Sequence, residues 1–281
     1  MSMKSEKYNL AVCQLKVSED KADNIARAEK MVREAAAMGA RVVALPEMFN
    51  APYQTALFPA YAESYPGGET VRMLARTAKE TGIILVGGSI PERDGDTVYN
   101  TSFIFGPHGR LLGRHRKVHL FDVDLPGLSI RESSTLGPGE GYTVIDAGFG
   151  KLGVCVCYDV RFPELARLMT LTGAQVMVAP GAFNMVTGPA HWELTMRARA
   201  VDNQFYVAAI SPARNESDKY VAYGHSMIVD PWGEVVRAAG TGEEIIMSAI
   251  DPARIDEVKA RLPLLPHRRT DLYELVWKKD K

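Results

Sequence analysis

A cysteine lies where a short apolar segment gives way to a turn and a helix. The segment is GVCVCYDVRFPE, residues 153–164, and it predicts a buried strand, a sharp turn and a helix that begins at Pro163, because proline is favoured at the first helical position. Cys157 then lies at the strand end and faces the helix N-terminus. Since the positive end of the helix dipole favours a thiolate, this position suits a nucleophile. The alternative is a buried structural cysteine, because free cysteines are among the most buried residues.

Two further reactive side chains follow predicted strands. Residues 41–45 form an apolar strand that Pro46 ends, and Glu47 comes directly after it, while Lys117 follows a predicted hairpin that starts at residue 98. In open α/β sheets, ligands bind at the carboxyl ends of the strands, so a carboxylate, an ammonium group and a thiol are expected at one rim. These groups match the base, the oxyanion stabiliser and the nucleophile of an acyl-transfer site.

Each of these groups has a physical role in opening an amide. A carboxylate partly removed from water accepts the proton of the thiol and then delivers it to the leaving amine. A fixed cation and the backbone N–H of Tyr158 stabilise the tetrahedral oxyanion. Histidine is the more usual partner of a catalytic cysteine, and His191 and His225 are placed to compete for that role. Because His191 lies in a helical segment beside Trp192, a packing role is the favoured interpretation for it.

The elements that must position these residues occur twice along the chain. Apolar residues spaced by three and four predict the helices, and short apolar runs predict the strands. The first half reads as a strand at 10–15, a helix at 21–38, a strand at 41–45, a helix at 70–81, a strand at 83–86 and a hairpin from 98. The second half reads as a strand at 151–156, a helix at 163–171, a strand at 175–179, a helix at 189–203, a strand at 205–210 and a hairpin from 227 to 237.

Two pairs of short segments support an internal duplication with pseudo-twofold symmetry. MGARVVALP at 38–46 corresponds to TGAQVMVAP at 172–180, and IFGPHG at 104–109 corresponds to IVDPWG at 228–233. Helices that alternate with strands, together with hairpins, predict an α/β fold in which mixed sheets are covered by helices. We therefore expect two similar sheets stacked face to face with helices outside. Because the matches are short, chance or convergent turn chemistry is the alternative.

The bulk composition limits the class of protein. The 281 residues carry a formal net charge of −1, and acids at Asp122 and Asp124 follow the basic run at 110–119, so no nucleic-acid partner is expected. Three cysteines do not form a disulfide framework, which indicates a reducing compartment and a cytoplasmic location. The polar start and the lack of an apolar run of about 18 residues predict neither a signal peptide nor a membrane span. No linker divides residues 1–281, so one domain is expected.

Three motifs, in order, resemble the signature of the nitrilase superfamily of carbon–nitrogen hydrolases. They are LPE at 45–47, RKVHLF at 116–121 and CYDVRFPE at 157–164, and the resemblance extends from about residue 10 to residue 273. It implies a four-layer αββα sandwich, with no cofactor. It also implies a triad in which Cys157 is the nucleophile, Glu47 the general base and Lys117 the oxyanion support. A further acid of the family falls on Glu132, where it positions the lysine or the substrate.

Two positions near these motifs carry weaker signals. Without the family resemblance, Glu132 reads as a solvated loop charge. Cys155 lies two residues before Cys157 and is interpreted as a packing residue that shares its strand face. A metal site at this pair is not expected, because no further Cys/His cluster supplies four ligands.

Other segments are similar to the omega-amidases, which hydrolyse the terminal amide of 2-oxoglutaramate and 2-oxosuccinamate to the 2-oxo dicarboxylic acid and ammonia. These segments are FNAPY at 49–53, HLFDVD at 119–124, PGAFNMVTGPAHWE at 180–193, RAVDN at 199–203 and SPAR at 211–214. Such substrates carry a carboxylate remote from the amide, so the pocket needs a cation, and Arg161 suits a bidentate clamp. A surface ion pair is the alternative for Arg161. Tyr53 and Thr187 are candidates to hydrogen-bond the same end of the substrate, and Phe183 to wall the pocket.

Several other functions compete with this one. The nearest are amidases of the same superfamily that act on deaminated glutathione, a neutral amide or a carbamoyl compound, whereas a true nitrilase fits the flanking motifs less well. A catalytically silent binding protein on the same fold is the alternative of a different class, although all three triad residues are present. The tail at about 251–281, with RRTDLY at 268–273, is similar to the family tail that packs on a neighbouring subunit. A homodimer or a larger assembly is therefore implied.

Overall fold

Two mixed β-sheets lie face to face in the computed structural model, which describes residues 6–125 and 127–278. In chain order the strands are β1 Tyr8–Gln14, β2 Val42–Ala44, β3 Ile84–Val86, β4 Ile90–Asp94, β5 Thr97–Phe105, β6 Leu111–Arg116, β7 Asp122–Leu125, β8 Leu128–Arg131, β9 Thr143–Asp146, β10 Lys151–Val154, β11 Val176–Pro180, β12 Tyr206–Ile210, β13 Met227–Val229, β14 Val235–Ala238 and β15 Glu244–Ile250. The α-helices are α1 Lys21–Ala37, α2 Phe58–Tyr61, α3 Glu69–Thr81, α4 Pro163–Leu171, α5 Gly188–Asn203 and α6 Pro252–Arg261. Short 3₁₀ helices cover Thr55–Leu57, Glu132–Ser134 and Cys157–Arg161.

The two sheets repeat the same central pattern. In the first sheet the order is β15-β1-β2-β3-β5-β4, with β6 beside β5, and β1, β2 and β3 are parallel. In the second the order is β14-β13-β12-β11-β10-β9, and β10, β11 and β12 are parallel. In the first sheet β5 joins antiparallel to β3, the last parallel strand, and in the second sheet β13 joins antiparallel to β12. The strands β7 and β8 form a separate hairpin.

The core consists of three apolar layers, which give the four-layer αββα arrangement. Side chains of both sheets meet in the central layer, where Val12 and Val154 are fully buried. Helices α1 and α3 cover the outer face of the first sheet, and α4 and α5 cover the outer face of the second. Along β1 the side chains alternate, since Val12 faces the central layer and Ala11 faces the helices. The predicted α/β fold of stacked mixed sheets is therefore confirmed.

The helix boundaries follow local signals in the sequence. Asp20 caps α1 by accepting a hydrogen bond from the Asp23 N–H at 3.0 Å, and α4 begins at Pro163 as predicted. Helix α3 ends at Gly82, whose φ of 70° lies in the left-handed region that glycine adopts readily. Within the described residues, no helix is long and apolar enough to cross a bilayer.

The largest differences from the sequence prediction lie between residues 117 and 163. The strand predicted at 151–156 ends at Val154, and the 3₁₀ helix Cys157–Arg161 intervenes before α4. The stretch from 117 to 150, for which the sequence analysis predicts no strand, contains β7, β8 and β9. In addition, β15 returns to the first sheet and pairs with β1, which joins the second half of the chain to the first.

The turn that follows β3 approaches the segment of Glu47 closely. Gly88 has a φ of 53°, and a β-carbon added to it would lie 2.1 Å from the carbonyl oxygen of Pro46. The next residue, Ser89, donates its N–H to the same carbonyl at 3.1 Å and accepts the Met48 N–H at 3.1 Å. The absence of a side chain at Gly88 therefore permits a close contact that supports the segment carrying Glu47.

We predict that Gly88→Ala lowers the free energy of unfolding by about 3 kcal/mol, because a left-handed alanine and a backbone clash add together. Gly82→Ala is the matched control: its φ is also left-handed, but an added β-carbon meets no atom of the described residues within 4 Å. This control is expected to lose about 1 kcal/mol. Urea unfolding measures both values, and equal losses would contradict the close approach at Gly88.

Candidate active site

Cys157 stands at the first position of a 3₁₀ helix in a strained conformation. Its φ is 48°, which is uncommon for a residue other than glycine, and such strain is found at functional sites. Its side chain is buried, and burial raises the pKa of the Cys157 thiol well above its ordinary value, with a further contribution from the Glu47 carboxylate. The expected effect of the helix dipole on the thiol is thus outweighed by burial. The thiol is protonated at rest and needs a base.

Glu47, the predicted base, is held by contacts on both of its carboxylate oxygens. It follows β2, as predicted, and accepts hydrogen bonds from Asn100 Nδ2 at 2.9 Å and from the Ala182 N–H at 2.8 Å. A side-chain hydrogen bond joins it to the Cys157 thiol. Burial raises the pKa of Glu47, and the Lys117 ammonium opposes this effect. The carboxylate is therefore within reach of the proton it must remove.

Lys117 is a buried cation between two carboxylates. Its Nζ lies 3.0 Å from Glu47 Oε1 and 2.9 Å from Glu132 Oε2. Burial disfavours the charge, but Glu132 and Glu47 outweigh it and hold the pKa of Lys117 well above its ordinary value. The lysine backbone N–H donates to the carbonyl of Asn100 at 2.8 Å, which fixes the segment against β5. This arrangement suits the stabilisation of an oxyanion.

Glu132 is fully buried, so its interpretation from the residue alone as a solvated loop charge is wrong. Its Oε1 accepts from the hydroxyl of Tyr53 at 2.7 Å, and its Oε2 accepts from the Phe121 N–H at 2.7 Å. The hairpin of β7 and β8 brings the chain back from Phe121 to Glu132 and so turns this carboxylate inward. Glu132 contacts Lys117, in line with the positioning role that the family resemblance implies.

Arg161 lies at the rim of the site and is partly exposed. Its guanidinium lies 4.6 Å from the ring centre of Phe183, and its NH1 lies 3.2 Å from His191 Nδ1. Among residues 6–125 and 127–278, no carboxylate forms an ion pair with Arg161, so the alternative of a surface ion pair is not found. His191 is exposed, and the packing role expected for it is wrong; Trp192 beside it is the buried residue.

The other candidates for substrate contact occupy different surroundings. Tyr53 stacks on Tyr220 with ring centres 4.4 Å apart, while the Tyr158 ring meets Phe121 edge-on at 5.1 Å. The Thr187 hydroxyl lies 3.2 Å from Asn184 Oδ1 at the start of α5. Contact of these side chains with a substrate stays a prediction. The backbone carbonyl of His225 accepts a hydrogen bond from the indole N–H of Trp192 at 2.7 Å.

Several residues of the site were not found from the sequence. Asn100 lies in the middle of β5, where nothing in the local pattern distinguishes it from a strand residue. Tyr220 donates its hydroxyl to the Ala182 carbonyl and lines a cavity of about 170 Å³ that reaches Glu47. Asp159 lies within the third motif, so the motif itself was a signal that could have drawn attention to it.

Comparison with known proteins agrees with this geometry. The family model described as carbon-nitrogen hydrolase matches residues 9–260. The chain belongs to this family. The prediction of a carbon–nitrogen hydrolase enzyme of the nitrilase superfamily is thereby confirmed.

Individual relatives cover nearly the whole chain. The chain is 53% identical to the omega-amidase NIT2 of Mus musculus over 97% of this chain and 99% of that protein. It is also 53% identical to the omega-amidase NIT2 of Danio rerio, over 96% and 97% of the two chains. Among solved structures, Nit3 of Saccharomyces cerevisiae, a member of branch 10 of the nitrilase superfamily, matches with a TM-score of 0.89 and 47% identity over 96% of this chain and 99% of that one.

The raised pKa of Glu47 predicts a pH dependence. The base acts only when ionised, so kcat/KM is expected to fall on the acid side at a pH above the ordinary glutamate value of 4.5. Asn100→Ala removes a hydrogen bond that favours the charged form, and the acid limb is expected to move to still higher pH. Steady-state rates measured across the pH range test both statements. An unchanged limb in Asn100→Ala would argue against Glu47 as the group that titrates.

Proposed function

We propose that this protein is an omega-amidase that hydrolyses the terminal amide of 2-oxoglutaramate and 2-oxosuccinamate to the 2-oxo dicarboxylic acid and ammonia. The observation that carries the proposal is a buried thiol hydrogen-bonded to Glu47, whose carboxylate is paired with Lys117 at 3.0 Å. The relatives named omega-amidase, at 53% identity over nearly their whole length, support the choice of amide.

The first step forms a thioester. Glu47 takes the proton of the Cys157 thiol as the sulfur attacks the amide carbon, and the carbonyl becomes an oxyanion. The Lys117 ammonium and the backbone N–H of Tyr158 stabilise this oxyanion. Glu47 then gives its proton to the nitrogen, the carbon–nitrogen bond breaks, and ammonia leaves.

The second step returns the enzyme to its starting state. The Glu47 carboxylate takes a proton from a water molecule, whose oxygen attacks the thioester carbon. The carbon–sulfur bond breaks, the 2-oxo acid leaves, and Glu47 returns the proton to the Cys157 sulfur. Because Glu132 forms an ion pair with Lys117, it holds the ammonium group in place during the attack by sulfur and the attack by water.

Recognition of the remote carboxylate is assigned to Arg161 in this proposal. Its guanidinium is partly exposed at the rim and packs over Phe183, and within the described part of the chain it has no carboxylate partner. A planar guanidinium binds a carboxylate through two parallel hydrogen bonds. Tyr53 and Thr187 are the further proposed contacts at this end of the pocket, and Phe183 is proposed to wall it.

The proposal extends to assembly and location. Three apolar side chains near the end of the tail are more than half exposed: Leu272 at 70%, Tyr273 at 56% and Val276 at 57%. Such a surface supports packing of the tail on a second copy of the chain in a homodimer or a larger homo-oligomer. The three cysteines are unpaired thiols, which supports a cytoplasmic location.

Replacement of the nucleophile tests the chemistry. In Cys157→Ala, ammonia release from 2-oxoglutaramate is expected to fall by at least about 1,000-fold, because no acyl-enzyme can form. Cys155→Ala is the matched control, since Cys155 is equally buried and its sulfur contacts no substrate in this proposal; it is expected to keep most of the activity. Full activity in Cys157→Ala would refute the proposed mechanism. Intact-mass measurement after rapid quenching is expected to detect the acyl group on the wild-type and Cys155→Ala proteins and not on Cys157→Ala.

Replacement of the proposed clamp tests the substrate. Arg161→Gln is expected to lower kcat/KM for 2-oxoglutaramate by about 10- to 100-fold, the value of a charge-assisted bidentate contact. The rate on a neutral amide of the same length is expected to stay unchanged. Arg197→Gln is the control, because Arg197 lies on the same helix as His191 and pairs with Glu193 away from the triad. Equal losses on both substrates would assign Arg161 to structure rather than to carboxylate recognition.

A further inference from the structure

One carboxylate that the proposed mechanism does not use connects the two halves of the site. Asp159 is fully buried two residues after Cys157. Its Oδ1 accepts hydrogen bonds from the Val118 N–H at 3.2 Å, from the His119 N–H at 2.9 Å and from His119 Nδ1 at 2.8 Å. All three donors belong to the two residues that directly follow Lys117. This oxygen therefore holds the backbone of the lysine segment.

The other oxygen of the same carboxylate holds the nucleophile turn. Asp159 Oδ2 accepts from the Val156 N–H at 3.1 Å, and Val156 directly precedes Cys157. It also lies 2.9 Å from His115 Nε2, at the end of β6 and two residues before Lys117. The carboxylate thus receives donors from both sides of the lysine and from the residue before the nucleophile.

We propose that Asp159 is a positioning residue that sets the distance between the Cys157 sulfur and the Lys117 ammonium. The inference rests on the catalytic roles proposed above for those two residues. Lys117 follows β6 of the first sheet, whereas Cys157 follows β10 of the second sheet. No single strand or helix therefore contains both residues. Asp159 joins the two segments through five hydrogen bonds at one buried point.

The charge and the packing around Asp159 suit a fixed anchor. Burial alone would raise the pKa of Asp159, but its hydrogen bonds to His115 and His119 outweigh burial and hold that pKa well below its usual range. The lowered pKa favours the ionised carboxylate at neutral pH. The His119 ring stacks on Phe162 with ring centres 3.6 Å apart and planes 10° apart, which adds a second contact between the lysine segment and the nucleophile turn.

Asp159→Asn is the direct test. All five partners of the carboxylate donate hydrogen bonds, three to Oδ1 and two to Oδ2. The amide nitrogen of asparagine is itself a donor, so at either position it faces N–H groups that it cannot accept from. One of the two segments must therefore move. A displacement of about 1 Å at a catalytic group costs about 100-fold, so kcat is expected to fall by about 100-fold while KM changes by less than about threefold. Alkylation of Cys157 by iodoacetamide is expected to slow by about tenfold, because the thiolate loses its cation.

Glu63→Gln is the matched control for loss of stability alone. Glu63 is also a buried carboxylate with several donors. It accepts a hydrogen bond from the N–H of Thr70, at the start of α3, at 2.9 Å, and it forms an ion pair with Lys21 at 2.7 Å. It has no contact with the triad. The control is expected to lower Tm by an amount similar to Asp159→Asn and to leave kcat and the alkylation rate of the folded protein unchanged.

A second pair of variants applies if Asp159→Asn does not fold. In His119→Asn, the side-chain amide retains a donor near the position of Nδ1, whereas His119→Ala removes it. The Asn variant is expected to keep at least about tenfold more activity than the Ala variant, because it restores a side-chain hydrogen bond to Asp159.

Three outcomes would overturn the inference. They are a kcat of folded Asp159→Asn within about threefold of the wild type, equal loss of kcat in Asp159→Asn and Glu63→Gln, and equal activity of the two His119 variants. These results are distinct from a failure of the proposed function. Activity in Cys157→Ala would refute the triad, whereas an inactive Cys157→Ala with a normal Asp159→Asn would refute only the role of Asp159.

Discussion

The site depends on one buried ammonium group that two carboxylates share. Lys117 could not stay charged in the core alone, since burial disfavours its charge, and the carboxylates of Glu47 and Glu132 offset that cost. Two negative groups and one positive group leave a net negative charge beside Cys157. Burial and the neighbouring carboxylates raise the pKa of the Cys157 thiol well above its ordinary value. In the proposed mechanism, the thiol therefore depends on Glu47 to remove its proton.

The stacking of the two sheets brings these groups together. Glu47 follows β2 in the first sheet, and Cys157 follows β10 in the second, so the apolar layer between the sheets sets their separation. The Ala182 N–H after β11 reaches across to Glu47 at 2.8 Å, which places a backbone donor of the second sheet on the base from the first. Packing of the central layer thus sets the relative positions of Glu47 and Cys157.

Two of the four non-glycine residues with a positive φ in the described part of the chain lie at the same rim. Met48, directly after the base, has a φ of 50°, and Cys157 has a φ of 48°. Such conformations persist only where the surroundings hold them, as Ser89 does for the Met48 N–H and Asp159 does for the Val156 N–H. These polar contacts therefore hold the backbone next to Glu47 and Cys157 in conformations that the isolated chain would rarely adopt.

The sequence by itself determined the order of helices and strands, the duplicated arrangement, and three catalytic candidates at strand ends. These features depend on residues that lie close together along the chain. The apolar spacing at 21–38 and the proline at 163, for example, directly predict a helix and the start of a helix. Only the tertiary structure decided that Glu132 is buried, that His191 is exposed, and that Asn100 and Asp159 hold the base and the lysine segment. The physical reason is distance along the chain: Lys117 meets Glu47 across 70 residues, and Ala182 meets it across 135. Burial and charge pairing at such separations arise only when the two sheets pack together.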